Sequence, residues 1–385
     1  MLPLFTEQKP FTWPAITCRQ LLHHRLLTPI LQVENAIQIA WNPNSNQELK
    51  AQAFEFINQL RTDPSGPQAC LTLFTRTPKA PEVVRLVSLD VVNHAFQSQQ
   101  LDVPTLNHIK ESLLEYIRRT YGQVNGQSNP DLDAASLQNK LSHTMTLLFV
   151  SLYKDSWGTF FDDFLALTSS QAGSGDSFNF TGVVFFLRLL DSVHDEIADA
   201  HITTASSNGK RNTELKDLLR ARDAQKIAAS WQQILKTWQG REDSIIELTL
   251  KVIGKWVDWI DISLVVNEET LNLLFSLVGR EGPGGPTAED RVRAAAINTI
   301  TEIVGKKMKS ADKIRLMEIL NLGILVSQLV ASPNMSQLRS TSSYDVDLAE
   351  SIAKLVNNTT ADIVRVLEDT KAETQTRVRD QSIVL

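Results

Sequence analysis

From Val33 onward, apolar residues return every three or four positions, the spacing that lines one face of an α-helix. The clearest case runs from Asp243 to Ile260, where Ile246, Leu250, Ile253, Trp256, Val257 and Ile260 form one stripe. Asp261-Ile262-Ser263 ends it, and a new apolar helix is expected over Asn267 to Val278. The same spacing predicts helices from Val33 to Ala40, Leu49 to Leu60, Pro67 to Phe74, Glu82 to Phe96 and Thr105 to Tyr121. In the fourth of these, Val83, Leu86, Val87, Val91 and Phe96 supply the apolar positions. Further helices are expected over Leu132–Tyr153, Trp157–Leu167, Phe178–Ala200, Thr213–Arg222, Asp223–Trp238, Thr287–Lys306, Ala311–Val330 and Val346–Glu368. Pro67 and Pro104 stand where proline opens a helix. Alternation at period two is never sustained, so no strand is expected.

A helix with one apolar stripe cannot bury it alone and needs a stacked partner. Successive pairs arrive irregularly at roughly 40 residues, near the period of HEAT-type units. The expected fold is therefore all-α: an α-solenoid of HEAT-type antiparallel helix pairs, an ARM-like superhelix whose inner helices line a concave wall. Both ends differ. Residues 1–32 are proline-studded and lack a coherent period, and residues 370–385 are polar, closing on Ser-Ile-Val-Leu. A solenoid normally carries a polar capping unit, so the sequence reads as a truncated product or fragment.

Composition narrows the function. The chain has 385 residues, 42% hydrophobic and 21% charged, enough apolar material for a long stacked array. Its net charge of -6 is not that of a small basic DNA-binding domain, although local basic stripes can still engage RNA. Two cysteines, Cys18 and Cys70, do not make a disulfide framework and fit a reducing compartment. The best apolar run, Val183 to Leu190, contains Arg188 and is far shorter than the roughly 20 residues of a membrane span. Pro3, Pro10 and Pro14 break the N-terminus, so it does not read as a signal peptide. A soluble, intracellular protein without a membrane partner is expected.

No reaction centre can be assembled. Gly282-Pro283-Gly284-Gly285 lacks the lysine of a phosphate loop. His194, Glu196, Asp199 and His201 do not share one helix face and read as solvated polar residues rather than metal ligands. Asp162 and Asp163 point about 100° apart on a helix and read as surface charge. The chain reads as a non-enzyme without cofactor or metal. Trp231, Trp238, Trp256 and Trp259 sit at core spacing rather than as base-stacking platforms.

One stretch stands out electrostatically. Lys210, Arg211, Lys216, Arg220, Arg222 and Lys226 are six cations against Glu214, Asp217 and Asp223. They make either a solvated face with local ion pairs or a set of phosphate contacts on RNA. Lys306, Lys307, Lys309, Lys313 and Arg315 form a second basic cluster, which reads more simply as a solvated face.

Several segments taken together are similar to the tRNA exportin family of the importin-β superfamily. These are Leu187 to Asp195, the run Lys210-Arg211-Asn212-Thr213-Glu214-Leu215-Lys216-Asp217-Leu218-Leu219-Arg220, Ser230 to Leu235, and Trp256-Val257-Asp258-Trp259-Ile260-Asp261-Ile262-Ser263-Leu264. Ala51 to Cys70 resembles the first repeats of the superfamily. The resemblance covers roughly Val33 to Asp369, and the family's chains are far longer. It implies Ran-binding repeats over 33–100 and exportin-type HEAT repeats over 101–369, with 1–32 and 370–385 unmatched. It further implies a monomeric nuclear export receptor that binds mature tRNA together with GTP-bound Ran. Such a receptor contacts the Phe-Gly repeats of the nuclear pore and shuttles between nucleus and cytoplasm without DNA or membrane partners. The implied Ran contacts fall on Pro81 to Ser98, with Asp90, Asn93 and His94 as candidates; the RNA candidates are Lys210, Arg211, Lys216, Arg220 and Arg222. A receptor for protein cargo on the same scaffold, or a static HEAT scaffold, are the alternatives.

Overall fold

The computed structural model describes residues 29–98, 101–122, 132–169, 179–198, 208–279, 288–323, 325, 329 and 346–383. Every regular element among them is helical, fifteen α-helices and one 3-10 turn, and the fold is an all-α solenoid of paired helices. Residues 1–28, the turn beyond Gly122, the break at 201–207 and the loop at 280–287 lie outside the described residues. None of the described helices is long and apolar enough to cross a membrane. The chain divides into two compact units between Leu101 and Asp102.

The first unit holds α1 (Pro29–Trp41), α2 (Gln47–Thr62), α3 (Gly66–Thr75) and α4 (Glu82–Gln97). Asn46 caps α2 by accepting from the Glu48 amide, and Pro67 sits in the first turn of α3. α4 packs on all three other helices. Val87, Val91 and Phe96 of its expected apolar face are buried, and the buried face is wider than that stripe. Val84, Leu89 and Val92 are fully buried, whereas Val83 and Leu86 are only half-buried. A helix touched by three neighbours buries more than one stripe, so a single-stripe reading captures only part of its buried face. Arg76 grips Glu34 with both guanidinium nitrogens, at 2.7 and 2.6 Å, tying the end of α3 to α1. Burial pushes the Cys70 thiol up to about 12, so it stays protonated.

The second unit holds α5 (Val103–Tyr121), α6 (Ala135–Leu152), α7 (Phe160–Leu165), α8 (Phe180–Ile197), α9 (Gly209–Arg222), α10 (Ala224–Trp238), α11 (Asp243–Val257), α12 (Glu268–Val278), α13 (Ala288–Gly305), α14 (Ser310–Leu320) and α15 (Val346–Ile383). Contacts sort most of these helices into two layers. α6, α8, α11, α13 and α15 touch one another in that order. α5, α7, α10, α12 and α14 each pack against members of that row. The expected stripe of α11 is the seam, because Ile246, Leu250, Ile253, Trp256 and Val257 are all buried, as is Ile260 just beyond the helix. The four tryptophans read as core are buried too. Trp231 meets Trp256 edge-on at 5.6 Å, and the Trp256 indole donates to the Leu190 carbonyl at 3.1 Å. Each such side chain contributes on the order of 1.5–3 kcal/mol by burial.

Several boundaries differ from expectation, and α1 begins at Pro29 rather than Val33. α9 starts at Gly209 rather than Thr213. α14 stops at Leu320 because Asn321 turns left-handed, with φ of 46°. α15 runs on to Ile383, since neither glycine nor proline occurs after Val346 to break it.

The ends of these helices are held from outside. Lys313 of α14 is fully buried. Its ammonium donates to the Val304 carbonyl at the end of α13, to the Lys306 carbonyl at 2.7 Å, and to Asp362 of α15 at 2.8 Å. One cation thus joins three helices. Removing its carboxylate leaves a buried charge without its counterion. We expect Asp362→Ala to destabilise the second unit by about 3–5 kcal/mol. Lys313→Met with Asp362→Leu should recover most of that loss. Urea unfolding followed by far-UV circular dichroism measures both, and a loss under about 1 kcal/mol for Asp362→Ala would contradict the assigned role.

Candidate nucleic-acid interface

α9 carries all five RNA candidates, and it lies against α8 and α10. Leu215 and Leu219 bury its inner side, and Asn212 is buried with them. The Asn212 amide donates to the Glu196 carbonyl at the end of α8, at 3.0 Å. Arg211 sits beside this contact. It donates to the Glu196 carboxylate at 3.2 Å and to the Asn212 side-chain oxygen at 2.9 Å. The N-terminal half of α9 is therefore fastened to the last turn of α8.

The C-terminal half is fastened twice more. Arg220 Nε donates to the Trp259 carbonyl at 2.6 Å, and its Nη1 reaches Asp217 at 2.6 Å. Its guanidinium lies 5.7 Å from the Trp259 ring centre. Arg222 donates from Nη2 to the Gly158 carbonyl at 3.1 Å and the Tyr153 carbonyl at 3.4 Å. It lies 4.2 Å over the Tyr153 ring and 3.6 Å from the buried Asp223 carboxylate. Lys226 pairs with Asp162 at 2.5 Å and with Asp223 at 3.2 Å, and both contacts raise its pKa. Tyr153 donates its hydroxyl to Asp223 at 2.6 Å. Burial, followed by this carboxylate, pushes the Tyr153 pKa well above the usual phenol range.

The six cations of the stretch thus divide. Arg211, Arg220, Arg222 and Lys226 are engaged by named partners. Lys210 and Lys216 have neither an ion-pair nor a hydrogen-bond partner among the described residues. Lys210 is exposed and Lys216 half-buried. Asp162 and Asp163, read from sequence as plain surface charge, are structural anchors. Asp163 accepts from the Trp157 indole at 2.9 Å and from Arg118 at 3.0 Å. The second basic cluster is also partly consumed. Lys306 donates to the Val257, Asp258 and Ile260 carbonyls at 2.7, 2.8 and 3.0 Å, and burial holds its pKa below the usual lysine range.

The Ran candidates lie on α4 of the first unit. Asp90 accepts from Arg61 of α2 at 2.7 Å, and both side chains keep about a third of their surface or more. Asn93 is buried, and neither its amide nitrogen nor its oxygen finds a partner among the described residues. His94 is half-buried, with Nδ1 unpartnered in the same sense. Asp90 and His94 offer surface to a ligand, whereas Asn93 is covered. Of the residues considered for a metal, His194 lies 3.4 Å from Asp195 and Glu196 is held by Arg211, while Asp199 and His201 fall outside the described residues. No described group of His, Cys, Asp and Glu is placed to hold a metal ion.

Sequence reasoning missed Asn179 and Asn212. Asn179 precedes α8 and accepts from the Gly182 amide, a helix-start pattern that is visible in sequence. Its amide also donates to the Tyr121 and Leu167 carbonyls at 2.7 and 2.6 Å, which no local pattern announces. Gly182 permits this closeness, because a Cβ there would fall 2.2 Å from the Leu167 carbonyl oxygen. The division among the cations is directly measurable. Arg222→Ala should lower stability by about 1–3 kcal/mol by leaving the Tyr153 and Gly158 carbonyls without that donor. Lys210→Ala should change it by no more than about 0.5 kcal/mol. Urea midpoints report both, and equal shifts would contradict the division.

Comparison with known proteins fits this architecture. A model of the Exportin 1-like protein family matches residues 135–300, the span from α6 into α13. The chain is similar to Exportin-T of Sclerotinia sclerotiorum, with 58% identity over 91% of this chain and 34% of that protein. It is similar to Exportin-T of Botryotinia fuckeliana at 56% identity over 92% of this chain and 34% of the relative. Exportin-T of Aspergillus oryzae is 49% identical over 92% of this chain and 34% of its own length. The chain therefore spans about a third of the length of the curated relatives it matches. Identity of this depth across nine-tenths of the sequence places the chain in the exportin-T family, where it corresponds to the N-terminal portion of its relatives.

Proposed function

We propose that this chain provides the N-terminal helical repeats of a nuclear export receptor for tRNA. In this reading the first unit contributes to binding GTP-loaded Ran through α4, with Asp90 and His94 presenting side chains to it. The second unit engages the phosphate backbone of mature tRNA along α9. The receptor acts as a monomer that moves between nucleus and cytoplasm and contacts the Phe-Gly repeats of the pore. The observation that carries the reading is the 58% identity to an Exportin-T across nearly the whole chain. The basic helix α9, clamped to its neighbours, is the structural feature that supports an RNA contact, because a helix already held in place costs less ordering entropy on binding.

A receptor that holds two ligands on one elastic stack couples them. Whatever one ligand contributes to holding the helices in the binding geometry, the other need not supply, and the coupling is reciprocal. Electrophoretic shift of mature tRNA, with and without GTP-loaded Ran, tests this. We expect GTP-loaded Ran to tighten tRNA binding by about 5–150-fold, and tRNA to tighten Ran binding equally. A chain indifferent to the nucleotide state of Ran would instead behave as a static scaffold. Binding to Ran without any response to tRNA would favour a protein cargo.

A further inference from the structure

Among the five basic residues assigned to RNA on α9, we infer that Lys216 and Lys210 make the phosphate contacts, while Arg220 and Arg222 position the helix. This assignment rests on the RNA reading proposed above and divides its residues into two roles.

Arg220 commits Nε to the Trp259 carbonyl and Nη1 to Asp217, with its plane held near the Trp259 ring. Arg222 commits Nη2 to two carbonyls, Nε to Asp223, and its face to Tyr153. A phosphate that captured either guanidinium would take its donor from the part-buried Trp259 or Tyr153 carbonyl, while Asp223 would keep only Tyr153 and Lys226. The cost of orphaning partly buried acceptors offsets what a phosphate contact gains. Arg211 is committed in the same way, to Glu196 and Asn212. Lys210 and Lys216 have nothing to give up among the described residues. Their ammonium groups are free point charges of the kind that binds phosphate without a fixed geometry.

The positioning role has a specific target. Four successive carbonyls close the turn after α11: Val257, Asp258, Trp259 and Ile260. Arg220 takes that of Trp259, and Lys306 takes the other three. Arg220 is thus the link that fixes the rotation of α9 against this turn. Lys216, one turn before Arg220 on the same side of the helix, is held in place by that link.

The test separates charge from geometry. Binding of a folded tRNA transcript, with saturating GTP-loaded Ran, is measured over a series of KCl concentrations for the full chain and its variants. Each lost phosphate contact reduces the slope of log K against log salt by roughly 0.7–0.9. Lys216→Gln should lower the slope by that amount while leaving thermal unfolding unchanged, and Lys210→Gln should do the same. Arg220→Lys keeps the charge but removes the fork, so it should weaken binding several-fold, lower the melting temperature and leave the slope as it was. Arg220→Gln should match Arg220→Lys in both respects. If Arg220→Lys binds as the unsubstituted chain does while Arg220→Gln loses slope, Arg220 is a phosphate contact and the assignment falls. If Lys216→Gln leaves the slope intact, the assignment falls whatever the arginine variants do. If the unsubstituted chain shows no salt-dependent binding at all, the RNA reading itself fails and takes the assignment with it.

Discussion

The last turn of an α-helix leaves carbonyl groups with no amide of their own helix to accept from. In the second unit these carbonyls are met by side chains sent from other helices. Asn179 reaches the end of α5, and Arg222 reaches the turn after α6. Asn212 reaches the end of α8, and Lys306 and Arg220 the end of α11. Arg293 donates to the Val278 carbonyl of α12 at 2.8 Å, and Lys313 serves α13. A cation in this position also complements the negative end of the helix dipole. Apolar burial supplies most of the cohesion between layers, but it is indifferent to small sliding and rotation. A hydrogen bond to a particular carbonyl is not, so these contacts set the register in which the apolar faces meet.

This device explains why local charge is a poor guide to the binding surface. The basic character of residues 210–226 is real in sequence, yet most of it is spent on intramolecular contacts. Lys306 and Lys313, which look like a solvated basic cluster, are among the most committed cations of the unit. Within that stretch Lys210 and Lys216 keep no ion-pair or hydrogen-bond partner among the described residues. A stack assembled this way can pass strain along its row. Arg220 of α9 and Lys306, which follows α13, both donate into the one turn after α11, at the Val257–Ile260 carbonyls.

The apolar framework was legible because it is periodic and local. The stripe from Ile246 to Ile260 needs only its own spacing to be read, and every member of it is buried. Legibility failed where a residue's role depends on distant chain. Arg220 and Trp259 are 39 positions apart, and Arg222 and Gly158 are 64 apart. No spacing rule connects them. The face of α4 was read only in part for a related reason: Val87, Val91 and Phe96 are buried as expected, but three neighbours also cover Val84, Leu89 and Val92. α15 outran its expected end at Glu368 because its apolar stripe fades there while its helix-forming residues do not.

Native-state hydrogen exchange on Lys306→Met tests the central claim most directly. If side chains at helix ends hold the layers in register, protection should fall together in the last turns of α11 and of α13, two segments that are remote in sequence. Exchange that accelerates only around residue 306 itself, with α11 protected as before, would show that apolar burial alone holds the stack.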